Sequence, residues 1–373
     1  MERMRARDAG IRIGWIPPGK NNSITDVAGV RVGHTTLARE PDAQGRAMQT
    51  GVTAVWPHAG APWREPVYAG TAVLNGWGEL IGITALNEWG LLESPIILTS
   101  SLSIGSAYDA TVRWIAKHDP TVEDVVMPVV TECSDDYLND TLAFPLPAEA
   151  VDHALESATD GITAEGCVGA GTGMVCFDFK GGIGTASRVV SVDDTMYTVG
   201  ALALTNFGYR SELRINGVPI GREIQDLMPP EPAAEEGSCI ALIATDAPML
   251  PHQLRRLALR AAMGLARCGS FAGNTSGEIF MAFSTAQTIS YDQPRAVAHV
   301  RAMADGARRI DSFNPLFLGA VEAVEESVVN SLFAATTTVG RKGRVVHALP
   351  IDRVVSLFER YGGLRQARGG TQL

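Results

Sequence analysis

The stretch GSCIALIATDAPMLPHQL, from Gly237 to Leu254, decides how this sequence is interpreted. A loop rich in proline and acidic residues ends at Ser238, and the apolar run from Cys239 to Ala244 follows without a polar transition. A short apolar run of this kind is typical of a buried strand. The residues from Pro251 to Arg267 then repeat apolar positions at helical spacing, with arginines on the other face. This pattern predicts one amphipathic helix with proline in its first turn.

A second apolar run, from Ile279 to Gln287, follows a loop of small residues. The unit is therefore strand, helix, strand. If the two strands pair in one sheet, the helical crossover makes them parallel, and both strands begin at the same sheet edge. Ser238 opens the first strand, and Ser276 and Glu278 lie where the second begins. The pattern therefore predicts that these three residues meet.

Strands and helices are mixed along the rest of the chain, with no segregated all-β or all-α half and no clear domain boundary. Helical spacing predicts a helix from Ala107 to Lys117. The glycine cluster from Cys167 to Arg188 completes neither G-x-G-x-x-G nor a phosphate loop. We interpret it as two strands joined by a turn at Gly181-Gly182. The proline-rich stretch from Asp226 to Ser238 predicts an exposed, flexible loop.

Composition excludes several classes of partner. The 373 residues carry a formal net charge of −10, whereas nucleic acids and anionic membranes need clustered Lys and Arg. The five cysteines form neither a C-x-x-C pair nor a zinc-finger pattern, so we expect reduced thiols and no metal. Without a signal-peptide pattern or a membrane-length apolar run, we expect a cytoplasmic protein.

Serine chemistry without histidine is possible at the start of the first strand. A serine hydroxyl needs an adjacent base, and a free α-amine on the same residue is a good one. That amine exists only if the chain is cut between Gly237 and Ser238. The same residues also fit an ordinary Gly-Ser junction, and the segment from Ser276 to Glu278 fits an ordinary turn. The H-E-x-x-H and G-x-S-x-G patterns are both absent.

Several motifs in a fixed order resemble one family along nearly the whole chain. They are NNSITDVAGVRVGHTTL, TGVTAVWPH, VLNGWGELIGITALNEWGLLESPIILTSSLSIG, GAGTGMVCFDFKGGIGTASR, GSCIALIATDAPMLPHQLRRLA, NTSGEIFMAFSTA and ATTTVGRKGRVVHALP. Together they resemble the L-aminopeptidase/D-Ala-esterase/amidase family, which includes the β-aminopeptidases and is similar in logic to N-terminal-nucleophile hydrolases. The resemblance implies an α+β fold in the form of a four-layered αββα sandwich, one catalytic domain over residues 1–373, and homotetramers of processed units.

The resemblance also implies self-processing at Gly237-Ser238 into an α chain of residues 1–237 and a β chain of residues 238–373. Ser238 is then the nucleophile, and Ser276 and Glu278 support its amine and hydroxyl. Asn206, in ALTNFG, matches the family's oxyanion-hole position.

Two further residues match family positions in the segment ECSDDYLND. Tyr137 matches an active-site tyrosine, and Glu132 is assigned to the ammonium group of the substrate. From the residues alone, Asn206 also fits a turn and Tyr137 also fits the edge of a core. No metal or organic cofactor is implied.

The sequence therefore predicts a self-processing serine aminopeptidase that acts on small peptides, amides or esters through an acyl-enzyme on Ser238. One alternative is an amidase for ω-amino-acid oligomers. Another is an acyltransferase related to the ornithine acetyltransferases, although those use threonine as the new N-terminus. A third is an unprocessed binding or scaffold protein. The sequence leaves open whether the released residue is L-α, D-α or β.

Overall fold

The computed structural model describes residues 3–231, 236–291, 299–305 and 313–362, which form fifteen β-strands and eight α-helices. The strands are β1 (Arg31–Arg39), β2 (Met48–Trp56), β3 (Val67–Gly76), β4 (Leu80–Ile81), β5 (Leu91–Leu92), β6 (Ile96–Thr99), β7 (Val129–Glu132), β8 (Val175–Cys176), β9 (Phe179–Lys180), β10 (Gly182–Val192), β11 (Thr195–Asn206), β12 (Glu236–Thr245), β13 (Thr275–Thr288), β14 (Thr338–Val339) and β15 (Val345–Val346). The helices are α1 (Ile83–Trp89), α2 (Ile104–His118), α3 (Ala148–Glu156), α4 (Ile220–Glu223), α5 (Pro251–Ala258), α6 (Ala261–Arg267), α7 (Asn314–Ala334) and α8 (Ile351–Arg360).

Two sheets form the centre of the molecule. Sheet A has the strand order β1-β2-β6-β7-β4, and sheet B has the order β10-β11-β12-β13-β3-β5. Their inner faces share one apolar core, while α2 and α3 cover the outer face of sheet A. Helices α5, α6 and α7 cover the outer face of sheet B. The four layers are helix, sheet, sheet and helix, so the predicted αββα sandwich is confirmed.

Strand β12 is buried on both faces, which explains its unbroken apolar sequence. Cys239, Ala241 and Ile243 pack in the core shared with the helices. Ile240 and Leu242 alternate onto the other face and pack in the core between the sheets. The strand runs antiparallel to β11 and parallel to β13. The predicted parallel pair is therefore confirmed.

The single helix predicted from Pro251 to Arg267 is wrong. Helix α5 ends at Ala258 and α6 begins at Ala261. At the junction the N–H of Arg260 donates to the carbonyl of Leu257, three residues back, so the chain tightens and the helix axis is interrupted. The predicted helix from Ala107 to Lys117 lies within α2.

The predicted Gly-Gly hairpin is also wrong. The turn lies at Phe177-Asp178, between β8 and β9, and both residues have positive φ, 51° and 56°. Two consecutive positive φ angles match a tight hairpin turn, and residue identity alone favours glycine there. Gly181 instead connects β9 to β10, which begins at Gly182.

The loop prediction holds only in part. Residues 232–235 lie outside the described residues, but β12 already begins at Glu236, and Ser238 is only 5% exposed. Gly237 and Ser238, the residues of the predicted cleavage site, therefore belong to a strand. All five cysteines are free thiols, as predicted. Within the described ranges, no helix is both long enough and apolar enough to cross a membrane.

Candidate active site

The ladder of sheet B brings three predicted site residues to one end of β12. Ser238 lies opposite Asn206 on β11 and opposite Gly277 on β13. Gly237 lies opposite Ser276 in the same parallel ladder. Residues that are more than thirty positions apart in sequence therefore become direct neighbours, as predicted for Ser238 and the start of β13.

Asn206 presents its side-chain amide to the hydroxyl of Ser238. Strand alternation turns both side chains toward the core between the sheets, and Asn206 Nδ2 lies 3.5 Å from Ser238 Oγ. The backbone N–H of Val175 donates to Asn206 Oδ1 at 2.9 Å. Because an N–H needs an acceptor, this contact determines which end of the amide faces the serine. The donor NH2 group of Asn206 is thus directed at Ser238.

Ser276 and Glu278 alternate onto the opposite face of sheet B. The hydroxyl of Ser276 donates to Oε1 of Glu278 in a short hydrogen bond. A Cβ atom placed on Gly237 would lie 3.1 Å from Ser276 Oγ, so this hydroxyl contacts the residue before Ser238. The predicted meeting is therefore correct for the backbone, but the side chain of Ser238 lies on the other face.

Glu278 has an unusual environment for a carboxylate. Its side chain is fully buried, and its Oε2 atom has no hydrogen-bond partner. Burial raises the pKa of Glu278, and the hydrogen bond from Ser276 opposes that shift. A positive charge formed nearby would find an unsatisfied acceptor here.

Tyr137 is connected to Asn206, the candidate for the oxyanion hole, through one intervening residue. It packs with Val175, whose N–H holds Asn206. Its hydroxyl donates at 2.8 Å to the carbonyl of Glu231, six residues before Gly237. The guanidinium of Arg344 lies 4.6 Å above its ring. In the continuous chain Tyr137 therefore contacts the segment that leads to the cleavage site.

Glu132 ends β7 close to the same strand ends. Its Oε1 atom accepts the N–H of Glu79 at 2.9 Å, and its other oxygen accepts the hydroxyl of Ser101. A Cβ placed on Gly78 would lie 3.1 Å from Glu132 Oε1 and 3.7 Å from the Cα of Gly277. Burial raises the pKa of Glu132. The carboxylate therefore lies near the residue paired with Ser238.

A cleft with a volume of about 570 Å³, its open mouth included, reaches Gly237 at the predicted cleavage site. The exposed rings of Tyr209 and Phe271 stack at its rim, with centroids 6.0 Å apart. Its lining also includes Val175, Asp178, Asn206, Phe207, Gly208, Glu212, Gly237, Gly269, Ser270, Gly273 and Ser276. None of these lining residues is a histidine. The part of the chain that the structure describes has no group of three side chains placed to hold a metal ion.

Two contributors to this site were missed in the sequence. Cys133 lies beside Ser238, and burial raises its thiol pKa well above the ordinary value, while a hydrogen bond with Ser238 opposes the shift. Val175 contributes only its backbone N–H. A backbone donor leaves no signal in residue type, and the position of Cys133 directly after Glu132 was the only available hint.

Fold and site together define a protein with the N-terminal-nucleophile-hydrolase type of αββα sandwich. Within that class the chain belongs to peptidase family S58, whose sequence pattern matches residues 22–346. It is therefore a peptide-bond hydrolase of the aminopeptidase kind, and the family predicted from the motifs is confirmed.

Individual relatives agree with this assignment. The chain is 41% identical over 386 residues to the β-peptidyl aminopeptidase BapA of Sphingosinicella microcystinivorans, covering 98% of this chain and 94% of that protein. It is similar to the solved β-aminopeptidase of Burkholderia sp., at 42% identity, a TM-score of 0.89 and coverage of 96% and 99%. It is also similar to the L-aminopeptidase D-Ala-esterase/amidase of Ochrobactrum anthropi, at 38% identity, a TM-score of 0.90 and the same coverage. That structure is described as a variant of the Ntn-hydrolase fold.

Proposed function

We propose that the chain cleaves itself between Gly237 and Ser238 and that Ser238 then serves as the N-terminal nucleophile of a serine aminopeptidase. The observation that carries this proposal is the contact between Asn206 Nδ2 and Ser238 Oγ, with the amide oriented by Val175. A donor held beside a serine oxygen suits the oxyanion that forms when that serine attacks a carbonyl.

In the first reaction the Ser238 hydroxyl attacks the carbonyl carbon of Gly237. The C–N bond to Ser238 breaks, its nitrogen takes up the hydroxyl proton, and Gly237 becomes an ester on Ser238 Oγ. Water hydrolyses that ester and leaves a carboxylate on Gly237 and a free amine on Ser238. Glycine suits the position before the bond because its carbonyl is the least hindered.

In the second reaction the new α-amine of Ser238 is the general base. An α-amine titrates near pH 8, so part of it is neutral at physiological pH. It takes the hydroxyl proton, Oγ forms the acyl-enzyme, and the amine returns the proton to the leaving group. Ser276 lies against the preceding residue, so we assign Ser276 and Glu278 to hold this amine. The Oε2 atom of Glu278, which has no hydrogen-bond partner, can accept a hydrogen bond from the protonated form of this amine.

The space around Gly237 supports a β-aminoacyl substrate. An L-side chain on that carbon would lie 3.1 Å from Ser276 Oγ and 3.2 Å from the Cα of Phe207. If a substrate carbonyl binds where the Gly237 carbonyl lies, the adjacent carbon has little room for a substituent. A β-amino acid with its side chain on the β-carbon has a CH2 group there. Two of the similar proteins are described as β-aminopeptidases.

We assign the remaining residues to substrate binding and assembly. Glu132 meets the substrate ammonium, which favours its ionised form, and Tyr137 joins the site when the segment containing Glu231 leaves. The processed units act on small peptides or amides, form homotetramers and work in the cytoplasm. A reducing compartment suits the five free thiols. Light scattering on the purified protein tests the tetramer.

Intact-mass analysis of the wild type beside Ser238→Ala tests self-cleavage. We expect fragments of 237 and 136 residues, since 373 minus 237 is 136, from the wild type. Ser238→Ala should remain one inactive chain. Ser284→Ala is the matched control, because Ser284 is also buried in sheet B but lies near the other end of β13. A wild type that is active without being cut would overturn the mechanism.

Hydrolysis of β-alanyl, D-alanyl and L-alanyl p-nitroanilides tests the substrate. We expect the β-alanyl compound to be fastest. Slow hydrolysis of all three with fast cleavage of ω-amino-acid oligomers would instead identify an oligomer amidase. Quantitative transfer of the acyl group to an added amine would identify an acyltransferase.

A further inference from the structure

Lys180 is a fully buried lysine beside the proposed oxyanion residue. It ends the short strand β9, and its Nζ atom donates to the backbone carbonyls of Met174 at 2.8 Å, Gly181 at 3.0 Å and Gly171 at 3.2 Å. Burial lowers its pKa, and Cys167, Cys176 and Asp135 oppose that shift. The carbonyls of Gly171 and Met174 precede β8, and the carbonyl of Gly181 lies between β9 and β10.

One peptide group connects the ammonium of Lys180 to Asn206. The carbonyl of Met174 accepts from Lys180, and the N–H of the same peptide group, on Val175, donates to Asn206 Oδ1 at 2.9 Å. The Nδ2 end of that amide then faces Ser238. Because a peptide group is planar, fixing its oxygen also fixes the direction of its N–H. The contacts form a continuous series from the cation to the serine.

We infer that Lys180 is a positioning residue that orients the Asn206 amide and strengthens it as a donor to the oxyanion. The inference rests on the proposed function. A cation at the carbonyl of Met174 polarises the peptide group and makes the N–H of Val175 a better donor. That N–H in turn polarises the amide of Asn206. The donor hydrogens on Nδ2 therefore carry more positive charge when the oxyanion develops.

A purely structural role does not require a charge at this position. Lys180 is completely shielded from water, and desolvating an ammonium is costly unless it is well hydrogen-bonded. An apolar side chain of similar length would avoid the desolvation of a charge, at the cost of the hydrogen bonds to the three carbonyls. One of its three acceptors is the carbonyl of Met174, whose peptide group contacts Asn206. A role in catalysis therefore accounts for a charge at this position.

Lys180→Met tests the inference, because it keeps an unbranched chain and removes the ammonium. Removing a whole oxyanion donor typically costs about 10²–10³ in kcat. Weakening it should cost less, so we expect kcat on β-alanyl p-nitroanilide to fall about tenfold, with KM within about twofold. Rates are normalised to the processed fraction from intact mass, and if a variant is cut slowly, the rate of cleavage is compared instead.

A double-mutant cycle with Asn206→Ala separates positioning from general loosening. If Lys180 acts through Asn206, Lys180→Met should change the rate by less than about twofold in the Asn206→Ala background. Val190→Ala is the matched control, since Val190 is also buried but lies near the far end of β10, opposite Tyr197. It should lower the melting temperature but leave kcat unchanged, and its effects should be additive with Asn206→Ala.

Val175→Pro provides a second route if Lys180→Met fails to fold. Proline lacks the N–H that holds Asn206 Oδ1, and Met174, with φ −77° and ψ 144°, already has a conformation allowed before proline. We expect a similar loss of kcat. A kcat within twofold of wild type for the folded variants, or an equal loss in the Asn206→Ala background, would overturn the inference. Failure of the proposed function would appear differently, as an uncut or inactive wild type.

Discussion

Two fully buried cations, Arg188 on β10 and Lys180 on β9, differ in how completely the charged groups around them are hydrogen-bonded. Arg188, on β10, donates to the carboxylates of Glu322 at 3.0 Å and Glu326 at 2.7 Å, both fully buried on α7. Glu326 also receives hydrogen bonds from Arg7 and Asn22. Each carboxylate has a charged partner, so this network joins the N-terminal segment, sheet B and α7.

The second buried cation, Lys180 on β9, donates to backbone carbonyls. Near it and at the adjoining end of β13, two buried carboxylate oxygens have no hydrogen-bond partner, Asp135 Oδ2 and Glu278 Oε2. Native proteins rarely leave buried polar atoms unsatisfied, and exceptions concentrate where function requires them. Completeness of hydrogen bonding thus separates the network of Arg188, which stabilises the fold, from the candidate active site.

Arg188→Met should have the largest effect on stability. It leaves Glu322 and Glu326 buried, and breaking such an ion pair typically costs about 3–5 kcal/mol. Urea unfolding should show that loss in the free energy of unfolding. The kcat of the processed and folded fraction should stay near that of wild type, because Arg188 does not contact the site.

The double variant Arg188→Met/Glu322→Gln is the control for this first prediction. Glu322 loses its charged partner while Glu326 keeps Arg7, so neutralising Glu322 should recover part of the lost stability. A large fall in kcat for a stably folded Arg188 variant would show that the two regions are coupled and would break the comparison.

Asn206→Ala should have the next largest effect, and on the reaction rather than the fold. Losing an oxyanion donor raises the barrier by about 3–4 kcal/mol, so kcat should fall about 10²–10³-fold. Stability should fall only by about 1–3 kcal/mol, because the N–H of Val175 loses its acceptor. Steady-state kinetics and urea unfolding on one preparation measure both. A kcat close to wild type would remove Asn206 from the mechanism.

Much of the fold was predictable because its elements have strong local patterns. The strand β12 and its parallel pairing with β13 follow from apolar runs separated by a helical crossover. The break after Ala258 was not predictable, since the arginine and alanine spacing continues through it. The turn at Phe177-Asp178 was missed because it uses positive φ at residues other than glycine, a choice made by surrounding contacts.

The candidate site was predictable only as far as motifs and strand order reach. Strand order placed Ser238 beside the start of β13, and a family motif indicated Asn206. They did not show that Ser276 and Ser238 face opposite sides of the sheet, because side-chain direction depends on the register of β12 and β13. Lys180 was missed because its role depends on carbonyl directions, which residue types do not encode.

The smallest of the three predicted effects concerns Asp135, one of the two buried carboxylates that have an oxygen without a hydrogen-bond partner. Burial raises its pKa to about 7. An unfolded Asp titrates near pH 4, so between about pH 4 and 7 the folded state binds more protons, and stability falls as pH rises through that window. Asp135→Asn removes this loss, and its stability relative to wild type should improve by about 2 kcal/mol between pH 5 and pH 8.

Asp136→Asn is the control, because Asp136 is the exposed neighbour and receives the same side-chain replacement. Its melting temperature relative to wild type should stay flat across the same pH range. Glu165, whose pKa burial also raises to about 7, is present in every variant, so its contribution cancels in the comparison. If Asp135→Asn gains no stability relative to wild type between pH 5 and pH 8, burial does not raise the pKa of Asp135 in the folded protein. The contrast with the network of Arg188 would then fail at this residue.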